Sequence, residues 1–349
     1  MGKAMFRQLI LALSILLLLS LAGCVISPRR GGTNGGGGKG TGQLYVVNQS
    51  NNAILRFGGA TAANGNISPN AILSGSATRL ATPSYIFMDT ANNRLYVANT
   101  GASNVLTFEN ASTLSGNVNS APSRVISSTN LTAPVDVAVD ATRDLLYVAD
   151  NFEVAVFQHA STANGSTVVF HVLQLTFTPG AILLDAANDR LFVADPTTSS
   201  VDVFDTASTL NGTVTAPRVI SGAQTQLSQP DGLRVDGAGR LIVSNFSPAS
   251  ITIYNNAATN SGPATPVAVL AGSNTTLVGP TQLALDPTTN SGELYVADPT
   301  GANVAVFSSI TTVTGTINPS PNRNITGANT TLNNTAVSTA RGVAIDTTR

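Results

Sequence analysis

Charge is what this 349-residue sequence has least of. Asp, Glu, Lys and Arg together make up 10% of it, against about 25% in ordinary globular domains. Amphipathic helices laced with Glu–Lys pairs are therefore excluded as its main elements. Trp is absent, and the single cysteine, Cys24, has no partner for an internal disulfide. Only two histidines occur, His159 and His171, which leaves little for an imidazole-based zinc site. Both lysines, Lys3 and Lys39, precede residue 43, and from Gln43 onward twelve Arg face eighteen Asp plus Glu, 12 − 18 = −6. A nucleic-acid binder needs a cationic face to displace counterions from phosphates, so that class is excluded. There is also no GxSxG elbow, no phosphate loop and no usable thiol in the body. Ser, Thr, Asn, Ala and Gly fill the space, the composition of many short strands joined by polar turns.

The N-terminus reads as a targeting segment. Lys3 and Arg7 precede an apolar run, residues 9–21, broken only by Ser14 and Ser20. That run is short for a bilayer span and suits a signal-peptide core. It ends in LAGC at 21–24, which resembles the lipobox of bacterial lipoproteins. The resemblance implies cleavage before Cys24, a diacylglyceryl group on its sulfur and export to the cell envelope. Val25 in place of Asp leans towards the outer membrane, facing the periplasm or the cell surface. Residues 28–42, PRRGGTNGGGGKGTG, form a flexible tether with a reach of roughly 20 Å. The expected organisation is a lipoprotein signal over 1–23, lipidated Cys24 with a Gly-rich tether over 24–42, and one folded body over 43–349.

That body is a repeat. LYVVN at 44–48 returns as LYVAN at 95–99, LYVAD at 146–150, LFVAD at 191–195, LIVSN at 241–245 and LYVAD at 294–298, with offsets of 51, 51, 45, 50 and 53 residues. A period of this size marks a propeller or solenoid. After each pentapeptide come a strand ending in Phe or Tyr, a Gly- and Ser-rich hairpin loop, a short strand such as RVIS at 124–127, and Pro-x-x-apolar-x-apolar-Asp, as at 134–140. Four strands per unit is the pattern of a propeller blade. The repeats begin on a second strand, at Leu44, and stop after a first strand, at Asp346. The fold expected is an all-β, six-bladed β-propeller of four-stranded antiparallel blades, closed by pairing of the C-terminal strand with the N-terminal blade.

These motifs, Pro-x-x-apolar-x-apolar-Asp followed by LYVAD and then Val-x-Val-Phe, resemble the NHL repeat over nearly all of residues 43–349. The YVAN copies also resemble YVTN-type propellers, which are usually seven-bladed, and the count of six favours the NHL-like reading. Neither motif specifies a function, because propellers host many unrelated activities.

The six copies act as an internal control: a residue in every blade serves folding, and a polar residue in one blade does not. Asp89, Asp140, Asp185, Asp236, Asp286 and Asp346 recur and read as Asx turns between first and second strands. The residues after the prolines differ from blade to blade. In the propellers this chain resembles, the first strand is innermost, which would bring Tyr85, Asp136, Asp231, Gln282 and Arg341 to one channel mouth. Arg234, inside a first strand, is a sixth candidate. Such a mouth suits a small polar ligand or a peptide end; the alternative is a solvated funnel whose charges satisfy one another.

Resembling six-bladed enzymes include calcium-dependent lactonases and a zinc-dependent lyase. His159, in a hairpin loop, and His171, in an outer strand, do not suit the mouth. Asp136, Asp150 and Glu153 on one rim are the candidates for calcium, the only cofactor in view. Three functional readings follow. The leading one is a non-catalytic binding or scaffold module, held to the membrane through Cys24 and facing an envelope protein, peptide or small polar ligand. The others are a metal-dependent hydrolase of the lactonase type and a surface or adhesive structural module.

Overall fold

The computed structural model describes residues 41–332 and 340–349; the signal segment, Cys24 and the tether up to residue 40 lie outside the described residues. Six small sheets form a ring. Blade 3 shows the plan. Asp136–Asp140 is its inner strand, followed outward by Leu145–Asp150, Glu153–Gln158 and His171–Gln174, all antiparallel. The inner strands of the other blades are Pro83–Asp89 (blade 2), Ile182–Asp185 (blade 4), Pro230–Val235 (blade 5), Leu283–Asp286 (blade 6) and Ala340–Asp346 (blade 1). Consecutive inner strands contact one another all the way round.

The strands form where β-branched and aromatic residues cluster, and side-chain alternation explains why the pentapeptide is apolar throughout. In blade 3, Leu146 and Val148 pack towards blade 2, against Tyr96, Ala98 and Val105. Tyr147 and Ala149, pointing the other way, pack towards blade 4, against Leu191, Val193 and Phe204. All four are fully buried. Neither face of a blade meets water, so a sizeable core needs few charges at its boundary. Fully burying one such aliphatic side chain contributes roughly 1.5–3 kcal/mol.

The ring closes as the repeat count requires. Ala340–Asp346 pairs antiparallel with Gln43–Asn48, setting Leu44 opposite Ile345 and Val46 opposite Val343. The first and last strands of the repeat body thus share one blade, and Val343 and Val46 join a core that includes Tyr295 and Val304 of blade 6.

The hairpin loop is more than a connection. In every copy it reaches back to lie parallel to the preceding blade's outer strand. Gly116–Val118 pairs with Ala71–Leu73, Gly165–Ser166 with blade 2's Arg124–Ser127, Gly212–Thr213 with His171–Gln174 and Gly315–Ile317 with Ala268–Ala271. Single bridges complete the circle, Gly262 with Ile220 and Gly65 with Ile325. The turn glycines take φ values from 64 to 79°, a left-handed backbone that glycine adopts without strain. The residue before three of them is Asn, whose side chain caps the neighbour: Asn164 Oδ1 accepts from Val125 N at 3.0 Å, Asn211 Oδ1 from Val172 N at 3.0 Å and Asn64 Oδ1 from Asn324 N at 2.9 Å. Four of the six sheets therefore carry a fifth, parallel strand beyond the four expected. This strap covers the outer edge that an isolated blade would expose.

If closure depends on the seam, Val343→Ala should lower unfolding free energy by about 2 kcal/mol, read as a shifted urea midpoint with an unchanged slope. A shift below a quarter of that would mean the seam is not part of the cooperative unit.

Candidate functional site

The six aspartates of the first turn behave alike. Each carboxylate accepts a backbone amide two or three residues on: Asn92 N at Asp89, Thr142 N at Asp140, Asn188 N at Asp185, Ala238 N at Asp236, Thr288 N at Asp286 and Thr348 N at Asp346. The Asn or Asp closing the pentapeptide holds loop amides. Asn99 binds Ala81 N at 2.7 Å, Asn245 binds Ser228 N at 3.0 Å and Asp298 binds Val278 N at 2.7 Å.

The blade-specific residues converge on the ring axis. Three of them sit at irregularities in the ladder. Register slips between Pro83 and Ile86, between Pro230 and Gly232, and opposite the step from Val47 to Asn48. Tyr85, Asp231 and Arg341 thereby leave regular pairing, the local re-aiming that a bulge supplies. They meet across the channel: Tyr85 Oη donates to Asp231 Oδ1 at 2.5 Å, Arg341 Nη1 lies 3.4 Å from Asp231 Oδ2, and the Arg341 guanidinium stands 5.0 Å from the Tyr85 ring centre. Blades 2 and 5, which supply Tyr85 and Asp231, are opposite each other in the ring.

A second layer lies beside the first. Gln282 Oε1 accepts from Val343 N at 2.8 Å and Ile86 N at 3.2 Å, while its Nε2 donates to Ile86 O at 2.9 Å. Asp136 accepts from Val137 N at 2.8 Å and Ile182 N at 3.0 Å, and approaches Gln282 Nε2 at 3.5 Å. These amides lie on the channel edge of inner strands, where no further strand can satisfy them. Arg234 is half-buried below this layer and donates from Nη1 to Leu233 O at 2.7 Å.

Close backbone approach shuts this end. A Cβ on Gly232 would stand 2.2 Å from Thr281 O, and one on Gly342 2.7 Å from Ser84 O. Tyr85, Asp136, Asp231 and Gln282 are each under 8% exposed, so the cluster is a buried plug and not a solvated funnel. Above it, a recess of ≈ 320 Å³ is lined by Asp231, Arg341, Phe246, Gln229, Pro196 and Thr197. Below it, a second cavity of ≈ 330 Å³ runs along the inner strands of all six blades.

The three acids considered for calcium do not assemble. Asp136 belongs to the plug, whereas Asp150 is saturated by Thr132 N and Ala133 N at 2.9 Å, Asn151 N at 2.6 Å and Thr132 Oγ1 at 2.7 Å. Glu153, on the third strand, is lifted above the usual carboxylate range by burial, against a hydrogen bond from Asn130. Among the described residues, no three His, Cys, Asp or Glu side chains form a metal-holding group. His171 stacks on Phe170, ring centres 3.9 Å apart, and His159 lies in an exposed loop, both remote from the axis.

Burial pushes the Asp136 carboxyl from 3.8 up to about 7, against the pull of the Ile182 amide, the Arg234 charge and the Val137 amide. Burial also raises the Tyr85 hydroxyl well above its usual value. It opposes the charge of Arg341, but Tyr85, Asp231 and Asp136 more than offset this and hold its proton tighter than usual.

Fold and axis together define a six-bladed β-propeller whose channel is closed at the face where the inner strands begin. No family model matches the chain, and no curated protein matches it. Solved structures share the fold. A chain of a nidogen/laminin complex matches with TM-score 0.61 and 15% identity, covering 87% of this chain and 98% of its own. A functionally unknown protein from Desulfotomaculum acetoxidans matches with TM-score 0.55 and 12% identity over the same shares.

Two outcomes test the plug. Because Asp136 holds its proton more tightly folded than unfolded, the stability it contributes is full below pH 3.8 and is lost as pH rises through about 7. The melting temperature of Asp136→Asn relative to the natural chain should therefore climb across that window, by the equivalent of a few kcal/mol; a flat difference contradicts the buried acid. Gly232→Ala, forced against the Thr281 carbonyl, should cost about 3 kcal/mol in urea unfolding, whereas a neutral result would show that this end of the ring is loose.

Proposed function

We propose that this chain is an envelope-anchored lipoprotein of NHL-like type whose propeller serves as a non-catalytic binding or scaffold module. One observation carries the non-catalytic half: the acids and amides at the axis are spent on one another and on inner-strand backbone. Asp136 uses both oxygens on amides, Asp231 is shared by Tyr85 and Arg341, and Gln282 holds three backbone groups. A general base or nucleophile must reach its substrate, and Asp136 and Asp231 are buried within this network. The fold's occurrence in a nidogen/laminin complex supports a ring that holds a protein partner. The lipobox-like LAGC at 21–24 and the Gly-rich run after it support a tethered body, since two or more acyl chains give stable anchoring.

Cys24→Ala should abolish incorporation of a clickable palmitate analogue and move the chain out of the washed membrane fraction. Retention there without label would refute the anchor. Turnover of a lactone and ester panel with added calcium, lost on Asp136→Asn or Asp231→Asn, would refute the non-catalytic reading; the expectation is no turnover.

A further inference from the structure

The cavity below the plug is a dead-end channel that opens on the face opposite the mouth read from the sequence. Its rim includes exposed Gly237 and Pro287, both in turns that follow inner strands, and its floor is Asp136, Gln282 and Arg234. Its walls are almost wholly apolar. Phe87, Leu184, Val235, Leu285 and Ile345 line it, one from each of five blades, and all are half-buried where other core side chains are fully buried. Apolar residues left part-exposed along a concave wall, above a few convergent polar groups, are the usual make-up of a small-ligand site.

Arg234 sets the ligand's chemistry. At its position in the inner strand the other blades carry Phe87, Ala138, Leu183, Ala284 and Ala344, so folding does not ask for a cation there. Its one protein hydrogen bond among the described residues goes to the carbonyl of its own neighbour, Leu233, leaving most of a guanidinium's five donors unspent. Among the described residues it forms no ion pair, although Asp136 favours its charge from farther off while burial disfavours it. Among the described residues Asp136 takes none of those donors; its oxygens accept from the Val137 and Ile182 amides instead. A forked cation in a low-dielectric recess is matched by a planar, two-oxygen anion.

We propose that the channel binds a single-chain alkyl carboxylate head-first, its carboxylate on Arg234 and its chain along the apolar wall towards Gly237 and Pro287. Arg234 to Gly237 is three residues, at most about 10 Å if fully extended at roughly 3.3 Å each, which sets an upper length of about eight carbons. This rests on reading the ring as a binding module, but it needs neither the anchor nor a protein partner, so either can fail alone.

The test is carbon-13 NMR of carboxyl-labelled octanoate with the full chain, in lipid nanodiscs or free in solution, with empty nanodiscs as the partitioning control. A bound carboxylate resonance should appear, displaced at least tenfold more weakly by octylamine than by unlabelled octanoate. Arg234→Leu, which gives blade 5 the residue of blade 4, should weaken octanoate at least tenfold with an unchanged melting curve. Arg234→Lys should retain part of the affinity, and octanol should bind both variants alike. No bound resonance in the natural chain, equal displacement by octylamine, or undiminished binding in Arg234→Leu would each overturn the proposal. If Arg234→Leu melts early, Arg234→Lys decides: complete loss of binding in a folded Lys variant counts against a charge-selected site.

Discussion

A strand whose two faces are both apolar must be covered on both sides, and everything else in this molecule follows from that demand. Leu146 and Val148 need blade 2 just as Tyr147 and Ala149 need blade 4. Because each blade makes the same demand of its neighbours, no open stack satisfies it, and only a ring leaves no blade with a bare face. The seam between Ala340–Asp346 and Gln43–Asn48 is the single place where closure is not covalent. The straps repeat the idea on the outer circumference, each hairpin loop lying on the blade before it. A body so arranged has little use for charge, which explains both the low Lys and Glu content and the scarcity of helices.

Closing the ring creates a second requirement at its axis. Inner strands have a ladder partner on one edge only, and the amides and carbonyls on the other edge face the channel. Where the ring is narrow, Gln282 and Asp136 supply those partners from opposite blades, and Tyr85, Asp231 and Arg341 complete a second layer. Such a network is worth having only if its members are satisfied, since an unpaired buried polar group is costly. Small residues make it fit: Gly232 and Gly342 stand where other blades place Tyr85, Asp136 and Gln282, so the large side chains occupy room that the glycines leave. The same asymmetry leaves the opposite end wide, with Arg234 at its floor.

Much of the fold was legible because repetition is self-checking. Six pentapeptides and a chain that starts on a second strand and ends on a first were enough to predict the ring, its count and its seam. The Asx turns were legible for the same reason, each aspartate recurring at one place. The strap was not read, although Gly65, Gly116, Gly165, Gly212, Gly262 and Gly315 also recur once per blade; a glycine spacing announces a turn but not which neighbour the turn lies against. Convergence of Tyr85, Asp136, Asp231, Gln282 and Arg341 was legible from position, whereas their burial was not. Whether a channel mouth is open depends on bulges after Pro83 and Pro230 and on close backbone approach at Gly232 and Gly342; the glycines mark those positions, but the sequence does not say what approaches them. Asp136, Asp150 and Glu153 share a rim but not a direction, a second thing that position in the repeat does not announce: Asp136 turns to amides at the axis and Asp150 to those of its own loop.

The most direct measurement of this account is native-state amide hydrogen exchange at Ile86, Ile182 and Val343. These amides lie on the unpaired edge of inner strands, and their acceptors are the side chains of Gln282 and Asp136. A closed and plugged ring predicts that all three exchange only through global unfolding, with the same free energy as the ladder amides of the core strands. Exchange of any of them at the rate of an open strand edge, while the ladders stay protected, would contradict it.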